Sequence, residues 1–273
     1  MATSNTTDIQ ALLHNDKLDE AIAAMNIEVK TNPTDIDKRA VLAELLCIAG
    51  NLERADVILN AISDIDPGAA VGVAMFRQLV RAEQARQQFY SEGRLPEFHT
   101  KPDAVMELEL RAAVAVREGS LQEANALLAE RETVRSPTPG TADDTAFDDF
   151  RDLDDLSAAH LEVLTTTGKY FWIPTSSIAS IEFRKPEKRR DLMWRRAHLS
   201  INDGPDGEVF VPAIYYSKES SPGHRLGHLT DFDGSEGGAS FGKGLREFLL
   251  GEQSRTILEL SRIQFPNNLP NNA

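Results

Sequence analysis

The chain has 273 residues, enough for one large domain or two smaller ones. With 41% apolar and 26% charged residues, its composition excludes a largely disordered or fibrous protein. No apolar stretch approaches the roughly 20 residues of a membrane-spanning helix, so no membrane association is expected. Residues 1–8 lack the basic and apolar regions of a secretory leader, and the single cysteine, Cys47, fits a reducing compartment. We therefore expect a cytoplasmic protein.

The net charge of −14 is unevenly distributed along the chain. Residues 141–155 contain seven aspartates and one arginine, whereas residues 184–196 contain seven basic side chains in thirteen positions. The acidic first half argues against a nucleic-acid partner, because it repels phosphate backbones. The basic segment 184–196 is expected to neutralise part of the aspartates of 143–155, to bind a partner protein or, as the third alternative, to bind RNA or DNA, for which no basic aromatic repeat or recognition helix is present.

A short motif recurs in the first half with a period of 34 residues. Leu18-Asp-Glu-Ala21 is followed 34 residues later by Leu52-Glu-Arg-Ala55, and Pro33 and Pro67 have the same separation. A period of 34 is typical of tetratricopeptide repeats, which are pairs of antiparallel helices. A third, more divergent copy lies at 119–124 and is closed by Pro137. The sequence therefore predicts tetratricopeptide-like helices, and since so few repeats rarely fold alone, we expect the C-terminal half to cover them.

The segment 70–90 departs from the regular repeat. It is longer than one repeat helix, and Glu83 falls where the apolar stripe containing Phe76 and Val80 would continue. The array is therefore expected to be irregular in its middle. Residues 136–141 have the composition of a linker, which predicts a helical domain over 1–140 and a second domain over 141–273.

The second half begins with an acidic segment in which apolar residues recur every three positions. Phe147, Phe150, Leu153 and Leu156 predict a short amphipathic helix within 143–156. Short β-like runs follow, and the whole predicts a multidomain α and α+β protein, in which the helical repeats precede a β-rich α+β domain. The predicted runs cover 160–166, 169–174, 178–183, 196–201, 208–214, 225–231, 245–250 and 256–265.

Motifs that suggest chemistry are incomplete. The glycine-rich run 237–244 nearly fits a phosphate-binding loop, but Gly244 stands where Ser or Thr would contact magnesium, so a flexible loop is the simpler interpretation. His224 and His228 have the spacing of zinc ligands without the accompanying glutamate, and Pro222-Gly223 argues against a helix there. Cys47 is expected to be a core residue. We therefore expect no cofactor, no metal and no catalytic constellation.

Several ordered motifs of the second half resemble the ImpE/SciE family, also called TagJ, whose members are accessory components of the bacterial type VI secretion system. The motifs that carry this resemblance are Leu161-Glu-Val163, Gly168-Lys-Tyr-Phe-Trp-Ile-Pro174, Arg190-Asp-Leu-Met-Trp-Arg195, Val209-Phe-Val-Pro-Ala213, Leu226-Gly227 and Thr230-Asp231. The resemblance implies a non-enzymatic adaptor that binds the N-terminal segment of the sheath subunit TssB and is linked to the ATPase ClpV. It assigns no partner-contacting residues and no oligomeric state.

Two other functions remain open at this point. One is a peptide-binding scaffold unrelated to the sheath, since stacked helix pairs usually present a groove for a peptide. The other is an enzyme with a site near five residues of the second half: Asp191, Arg195, His198, His224 and Asp231. The partner-binding candidates are Arg189, Arg190 and Trp194 of the basic segment, with Phe76 and Val80. For Trp194, a place in the core is the alternative.

Overall fold

The computed structural model describes residues 8–234 and 237–265. Residues 1–7 lie outside this part, so the expected absence of a secretory leader concerns residues that the structure does not describe. Residues 8–140 form seven α-helices and one short strand, and the described residues after them are rich in strands. The helices are α1 Ile9–His14, α2 Leu18–Thr31, α3 Ile36–Ile48, α4 Leu52–Ile65, α5 Ala70–Glu92, α6 Ala104–Arg117, α7 Leu121–Val134 and α8 Pro222–Arg225.

The strands are numbered in chain order. They are β1 Glu97–Phe98, β2 Gly140–Ala142, β3 Thr145–Phe147, β4 Phe150–Asp152, β5 His160–Thr165, β6 Tyr170–Pro174, β7 Ile178–Phe183, β8 Trp194–Ile201, β9 Asp206–Pro212, β10 Ile214–Tyr215, β11 Thr230–Asp233, β12 Phe241–Leu245, β13 Glu247–Leu250, β14 Gln253–Thr256 and β15 Arg262–Gln264. This order of helices and strands confirms the predicted fold class. None of the described helices is long and apolar enough to cross a bilayer.

The recurring motif marks the first turn of a helix in each copy. The helices α2, α4 and α7 begin at its leucine, and its alanine is fully buried at positions 21, 55 and 124. The small side chain permits the close approach of neighbouring helices. Gly50 and Gly119 follow the ends of α3 and α6 with φ of +79° and +78°, a left-handed conformation that glycine adopts without strain. The periodic pattern therefore identified both the helices and the turns between them.

The irregular middle of the array is the 23-residue helix α5, which lies between the other helices and the sheet. Its aromatic residues contact those of the sheet edge-on: Phe76 meets Trp194 with ring centres 6.1 Å apart, and Phe89 meets Trp172 at 4.7 Å. Such contacts add to the burial of large apolar surfaces. The expectation that the C-terminal half covers the helices is confirmed.

The main sheet has nine strands in the order β1-β6-β5-β9-β8-β7-β15-β2-β3. All its neighbouring strands are antiparallel except β1, which pairs in parallel with β6. One face packs on the helices, and the other packs on the small sheet β14-β13-β4 and the residues around Phe265. The second small sheet is β10-β12-β11. One hydrophobic core is shared by the helices and the main sheet. The boundary between two domains at residues 140 and 141 therefore stays a prediction.

The amphipathic helix predicted within 143–156 is wrong. This segment forms β3, β4 and a short 3-10 turn at Asp155–Ser157. The carboxylate of Asp149 accepts hydrogen bonds from the backbone N–H groups of Thr138 and Phe150 and pairs with Arg135, which fixes the bend between the two strands. A bent pair of short strands can thus bury apolar residues every three positions, as a helix would.

Two smaller expectations for the second half are also wrong. A one-turn helix, α8, does begin at Pro222, with Ser221 as its N-cap. Proline is well tolerated at the first helical position, where its missing N–H has no partner to lose. The glycine-rich run is not a loop throughout, since Phe241–Leu245 is the strand β12.

Candidate partner-binding cleft and the ionic cluster beneath it

The inner face of the helical repeat, formed by α1, α3 and α5, is occupied by the protein's own C-terminal half. Arg189 pairs with Glu44 of α3 at 3.2 Å, and the Arg225 guanidinium donates to the carbonyl oxygen of Ala49. His228 pairs with Asp16 beyond α1 at 2.7 Å. The groove expected on this face is therefore largely covered by residues 189–194 and 225–228, which leave smaller cavities beside α1 and α5.

The partner-binding candidates divide into buried and accessible residues. Phe76, Val80 and Trp194 are 3%, 2% and 2% exposed, and Trp194 donates its indole N–H to Glu83. Trp194 is therefore a core residue, and these three side chains stabilise the contact between α5 and the sheet. Arg189 and Arg190 are partly exposed, and Arg190 lies over the Phe76 ring at 4.7 Å. Of the five, the two arginines are available to a partner.

The basic segment does not neutralise the aspartates of 141–155, contrary to one expectation. In the described residues, four of those aspartates pair instead with arginines outside the basic segment. The pairs are Asp149 with Arg135, Asp155 with Arg151, Asp152 with Arg246, and Asp143 with Arg255. The acidic segment is thus compensated locally.

A fully buried cluster of charges joins α5 to the sheet. Arg86 of α5 forms two hydrogen bonds with the carboxylate of Glu162 on β5, Nε to Oε1 at 2.9 Å and Nη2 to Oε2 at 3.0 Å. Arg246 also pairs with Glu162 and with Asp152 on β4. Glu83 pairs with Arg86 at 3.2 Å. A buried ion cluster needs such complete pairing, since each charge loses its hydration.

Tyrosine hydroxyl groups complete the hydrogen bonding of this ionic cluster. Tyr90 and Tyr170 both donate to Glu162, at 3.0 and 2.6 Å, and Tyr215 donates to Asp152 at 2.6 Å. Burial opposes ionisation of Glu162, but Arg86 and Arg246 outweigh it and hold the pKa of this carboxyl well below its usual range. Glu162 is therefore an anion that fixes the helices against the sheet.

Asp154, next to the cluster, has the opposite behaviour. Burial, together with the neighbouring charge of Asp152, raises the pKa of Asp154 to about 7. Its carboxylate accepts hydrogen bonds from the backbone N–H groups of Leu156 and Gly242. Asp154 thus connects the 3-10 turn to β12 and titrates near neutrality.

A surface cleft opens directly above the ionic cluster. It has a cavity volume of about 220 Å³ and lies between the α3–α4 turn, α5 and residues 214–220. A second cavity of about 480 Å³ continues along α5 and shares Ala49, Gly50 and Gln87 with the first. We call the two together the α5 cleft. Its walls combine charged side chains, amides and hydroxyls with a few apolar groups, which suits a bound polypeptide segment. The lining residues along α5 are Glu83, Gln84, Arg86, Gln87, Gln88, Ser91 and Glu92.

The five residues of the alternative enzyme site are not assembled into one constellation. A hydrogen bond of 2.8 Å joins two of them, His224 Nε2 and Asp231 Oδ2. His198 instead pairs with Asp206. The carboxylate of Asp191 accepts from two backbone N–H groups, and Arg195 lies beside Phe183. The enzyme hypothesis therefore gains no geometric support from this set.

His224 also contacts Ser221, whose hydroxyl lies 2.8 Å from His224 Nδ1. Ser221, His224 and Asp231 thus form a hydrogen-bonded chain of the residue types found in hydrolases. The position of this hydrogen-bonded chain indicates a structural role. The Ser221 hydroxyl caps the start of α8, and the His224 ring accepts a hydrogen bond from the Ser221 backbone N–H in return. The chain closes a helix end, and Asp231 at its far end is largely exposed.

The glycine-rich run serves packing. A Cβ on Gly244, whose φ is +84°, would lie 1.8 Å from the carbonyl oxygen of Leu229, and one on Gly242 would lie 2.4 Å from the Tyr215 ring. Lys243 between them pairs with Asp233. The run therefore allows β12 to lie against its neighbours.

Sequence reasoning missed the ionic cluster, although two signals were present. Glu83 interrupts an apolar stripe, and Glu162 stands between Leu161 and Val163 in a strand of buried residues. A charge at such a position indicates a buried partner of opposite sign. Which arginine would supply it depends on the tertiary fold, because Arg86 and Arg246 lie 76 and 84 positions from Glu162.

Known proteins are similar to this chain in both sequence and fold. Residues 144–264 match the family model described as ImpE protein. The type VI secretion system accessory component TagJ of Pseudomonas aeruginosa is 26% identical over 225 residues, which cover 82% of this chain and 80% of that protein. The crystal structure of protein VPA1032 from Vibrio parahaemolyticus superposes with a TM-score of 0.88 at 28% identity, over 94% of this chain and 97% of that one. The second half of the chain therefore resembles the ImpE family, and the similarity to TagJ and to VPA1032 extends into the helical part.

Proposed function

We propose that this protein is a non-enzymatic accessory component of a type VI secretion system, which binds the N-terminal segment of the sheath subunit TssB and brings it to the ATPase ClpV in the cytoplasm. The observation that carries the proposal is the similarity to TagJ along 82% of the chain, which includes the helices as well as the ImpE segment. The accessory role follows from that similarity. The TssB and ClpV contacts are the more specific part of the proposal.

The structure supports a binding role through the α5 cleft. Because residues 189–194 and 225–228 cover much of the inner face, a partner segment has to bind where they leave it open, as they do at the α5 cleft. The α5 cleft is preformed over the ionic cluster, so its walls need little ordering when a ligand binds. A preformed site of this size suits a transient contact with a short segment.

The test is isothermal titration calorimetry with a synthetic peptide of the cognate TssB N-terminus. We expect micromolar or tighter binding, and we expect Gln87→Arg, which places a long charged side chain where the two cavities meet, to weaken it at least tenfold. The matched control is Val71→Ser on the same helix, at an exposed position outside the cleft. Equal affinities of Gln87→Arg and the parent protein would remove the α5 cleft as the site.

The link to ClpV is tested separately. A pull-down with purified ClpV is carried out with and without the TssB peptide, and we expect a ternary complex that the peptide strengthens. If calorimetry detects no heat of binding with any cognate sheath peptide, the sheath-binding role is rejected and a scaffold with another ligand is favoured.

A further inference from the structure

Arg195 differs from the other buried arginines of the described chain. It is 4% exposed, and its Nε and Nη1 atoms are buried without a hydrogen-bond partner. Arg86, Arg131 and Arg246 are buried to a similar degree; Nε and Nη1 of Arg131 and Nε of Arg246 also lack a hydrogen-bond partner, but each of these three arginines forms ion pairs with carboxylates. Within residues 8–234 and 237–265, Arg195 forms no ion pair within 4.0 Å. A buried charge without a counterion is strongly unfavourable, so this arrangement needs an explanation.

No internal carboxylate supplies the missing partner. Asp191 influences Arg195 electrostatically, but it accepts hydrogen bonds from the backbone N–H groups of Glu187 and Lys188 and holds the short helical turn before β8. The guanidinium instead lies 5.9 Å from the centre of the Phe183 ring. Burial lowers the pKa of Arg195, as expected for a cation that lacks an adjacent anion.

The surroundings of Arg195 select an anionic ligand. The segment 184–196 carries seven basic and two acidic side chains. Arg184, Lys185 and Lys188 on this segment are exposed, whereas Arg189 and Arg196 pair with Glu44 and Glu208. The backbone N–H of Arg184 donates to the carbonyl oxygen of Arg196, so the segment begins beside β8, and its three exposed cations create a positive potential that attracts negative groups.

From these observations we infer that Arg195 and the exposed cations of 184–188 form a docking site for an acidic segment of a partner protein, one of whose carboxylates pairs with Arg195. A densely charged polyanion such as a nucleic acid is disfavoured by the net charge of −14. A planar guanidinium matches a carboxylate well, which explains an arginine at this position. This site is distinct from the α5 cleft, so it does not depend on the proposed function.

Arg195→Met keeps most of the side-chain volume and removes the charge. We expect it to raise stability and to weaken peptide binding. Replacing an unpaired buried charge by an apolar group should raise Tm by roughly 2–4 °C. The same change should weaken binding of a fluorescein-labelled hexaglutamate peptide, measured by anisotropy at low salt, about tenfold or more, since charge-assisted hydrogen bonds to a carboxylate are lost. A gain in stability combined with a loss of binding distinguishes a docking residue from a structural one.

The matched control is Arg196→Met, which alters the next residue, an exposed arginine already paired with Glu208. We expect its peptide affinity to change less than threefold. Arg195→Lys keeps the charge but not the planar donor set, and we expect it to fold and to bind several-fold more weakly than the parent. Inorganic phosphate, compared at equal ionic strength, should compete poorly with the peptide.

Three results would overturn the inference. The first is a lower Tm of Arg195→Met with unchanged peptide affinity, which would show an internal role through buried water. The second is an equal loss of affinity in Arg195→Met and Arg196→Met, which would show unspecific attraction. The third is saturable phosphate binding without peptide binding, which would identify a small-anion site.

Discussion

Arg86 and Glu162 lie 76 positions apart in the chain, yet they form a two-point ion pair that is fully buried between α5 and β5. Arg246 approaches the same carboxylate from the loop between β12 and β13. One glutamate therefore connects three separate parts of the chain. Since removal of Glu162 would take one counterion from both Arg86 and Arg246, the stability of the whole interface is sensitive to this side chain.

We predict that Glu162→Gln lowers the free energy of unfolding by about 3–5 kcal/mol, because it leaves Arg86 and Arg246 buried without their shared anion. The measurement is guanidinium chloride unfolding followed by circular dichroism. The control is Glu182→Gln, which removes an exposed pair with Arg262 and should cost less than about 1 kcal/mol. Similar losses in the two variants would contradict this account of the cluster.

The pH dependence of stability has a defined sign for Glu162. Its pKa is lower in the folded than in the unfolded protein, so its contribution is complete above the unfolded value of 4.5 and is lost as the pH falls below it. We therefore expect the difference in unfolding free energy between the parent and Glu162→Gln to shrink steadily between pH 5 and pH 3, a window of about two units. Unfolding titrations of both proteins across this range measure it, and a constant difference would refute the assignment.

Asp154 should act in the opposite direction. Its pKa of about 7 lies above the unfolded value of 3.8, so its contribution is present at low pH and is lost as the pH rises through about 7. We expect the carboxyl carbon of Asp154 to titrate near neutrality in carbon-detected NMR of labelled protein. A midpoint near 4 would show that water reaches this group.

Gly244→Ala should be among the most damaging small substitutions in the chain. The added methyl group would overlap the carbonyl oxygen of Leu229, and φ of +84° is unfavourable for alanine. We expect a loss of at least about 3 kcal/mol, or failure to fold. In Gly72→Ala, the new methyl group would meet no atom within 4 Å, and the change should leave Tm unchanged or raise it. Differential scanning fluorimetry compares the two variants.

The double replacement of Arg189 and Arg190 by glutamate tests the contact between the basic segment and the helices. It would place a carboxylate beside Glu44 and remove the Arg190–Phe76 contact. We expect a loss of about 1–3 kcal/mol of unfolding free energy. Arg184→Glu with Lys185→Glu reverses two exposed charges on the same segment and should change stability by less than about 1 kcal/mol. Chemical unfolding of both double variants provides the comparison.

The elements that sequence analysis predicted correctly are those fixed by local chemistry. Leu18 and Leu52 open helices because a repeated pattern encodes the same helix start twice, and Gly168, with φ of +81°, turns the hairpin between β5 and β6. The segment 143–156 was mispredicted because its spacing is compatible with a helix, and the bend at Asp149 depends on Arg135 and Thr138 from outside it. Local patterns do not contain such distant partners.

The candidate site was less predictable than the fold. The basic segment was recognised, but burial of Trp194 and Phe76 follows from how β8 lies against α5. Similarly, nothing in the local sequence distinguishes Arg195 from Arg196, although one is buried without a partner and the other is exposed. Neighbouring strand residues point to opposite faces, and only the packed sheet shows what each face meets.

The parallel pairing of β1 with β6 has a practical consequence for mapping interactions with truncated proteins. Glu97 and Phe98 come from the helical part of the sequence, yet they form the edge of the main sheet. A fragment ending near residue 140 would carry this strand without its neighbour and would expose the apolar side of α5, while the complementary fragment would lose an edge. Either fragment would adhere to unrelated proteins through its exposed surfaces, so two-hybrid or pull-down experiments should use point variants of the intact chain.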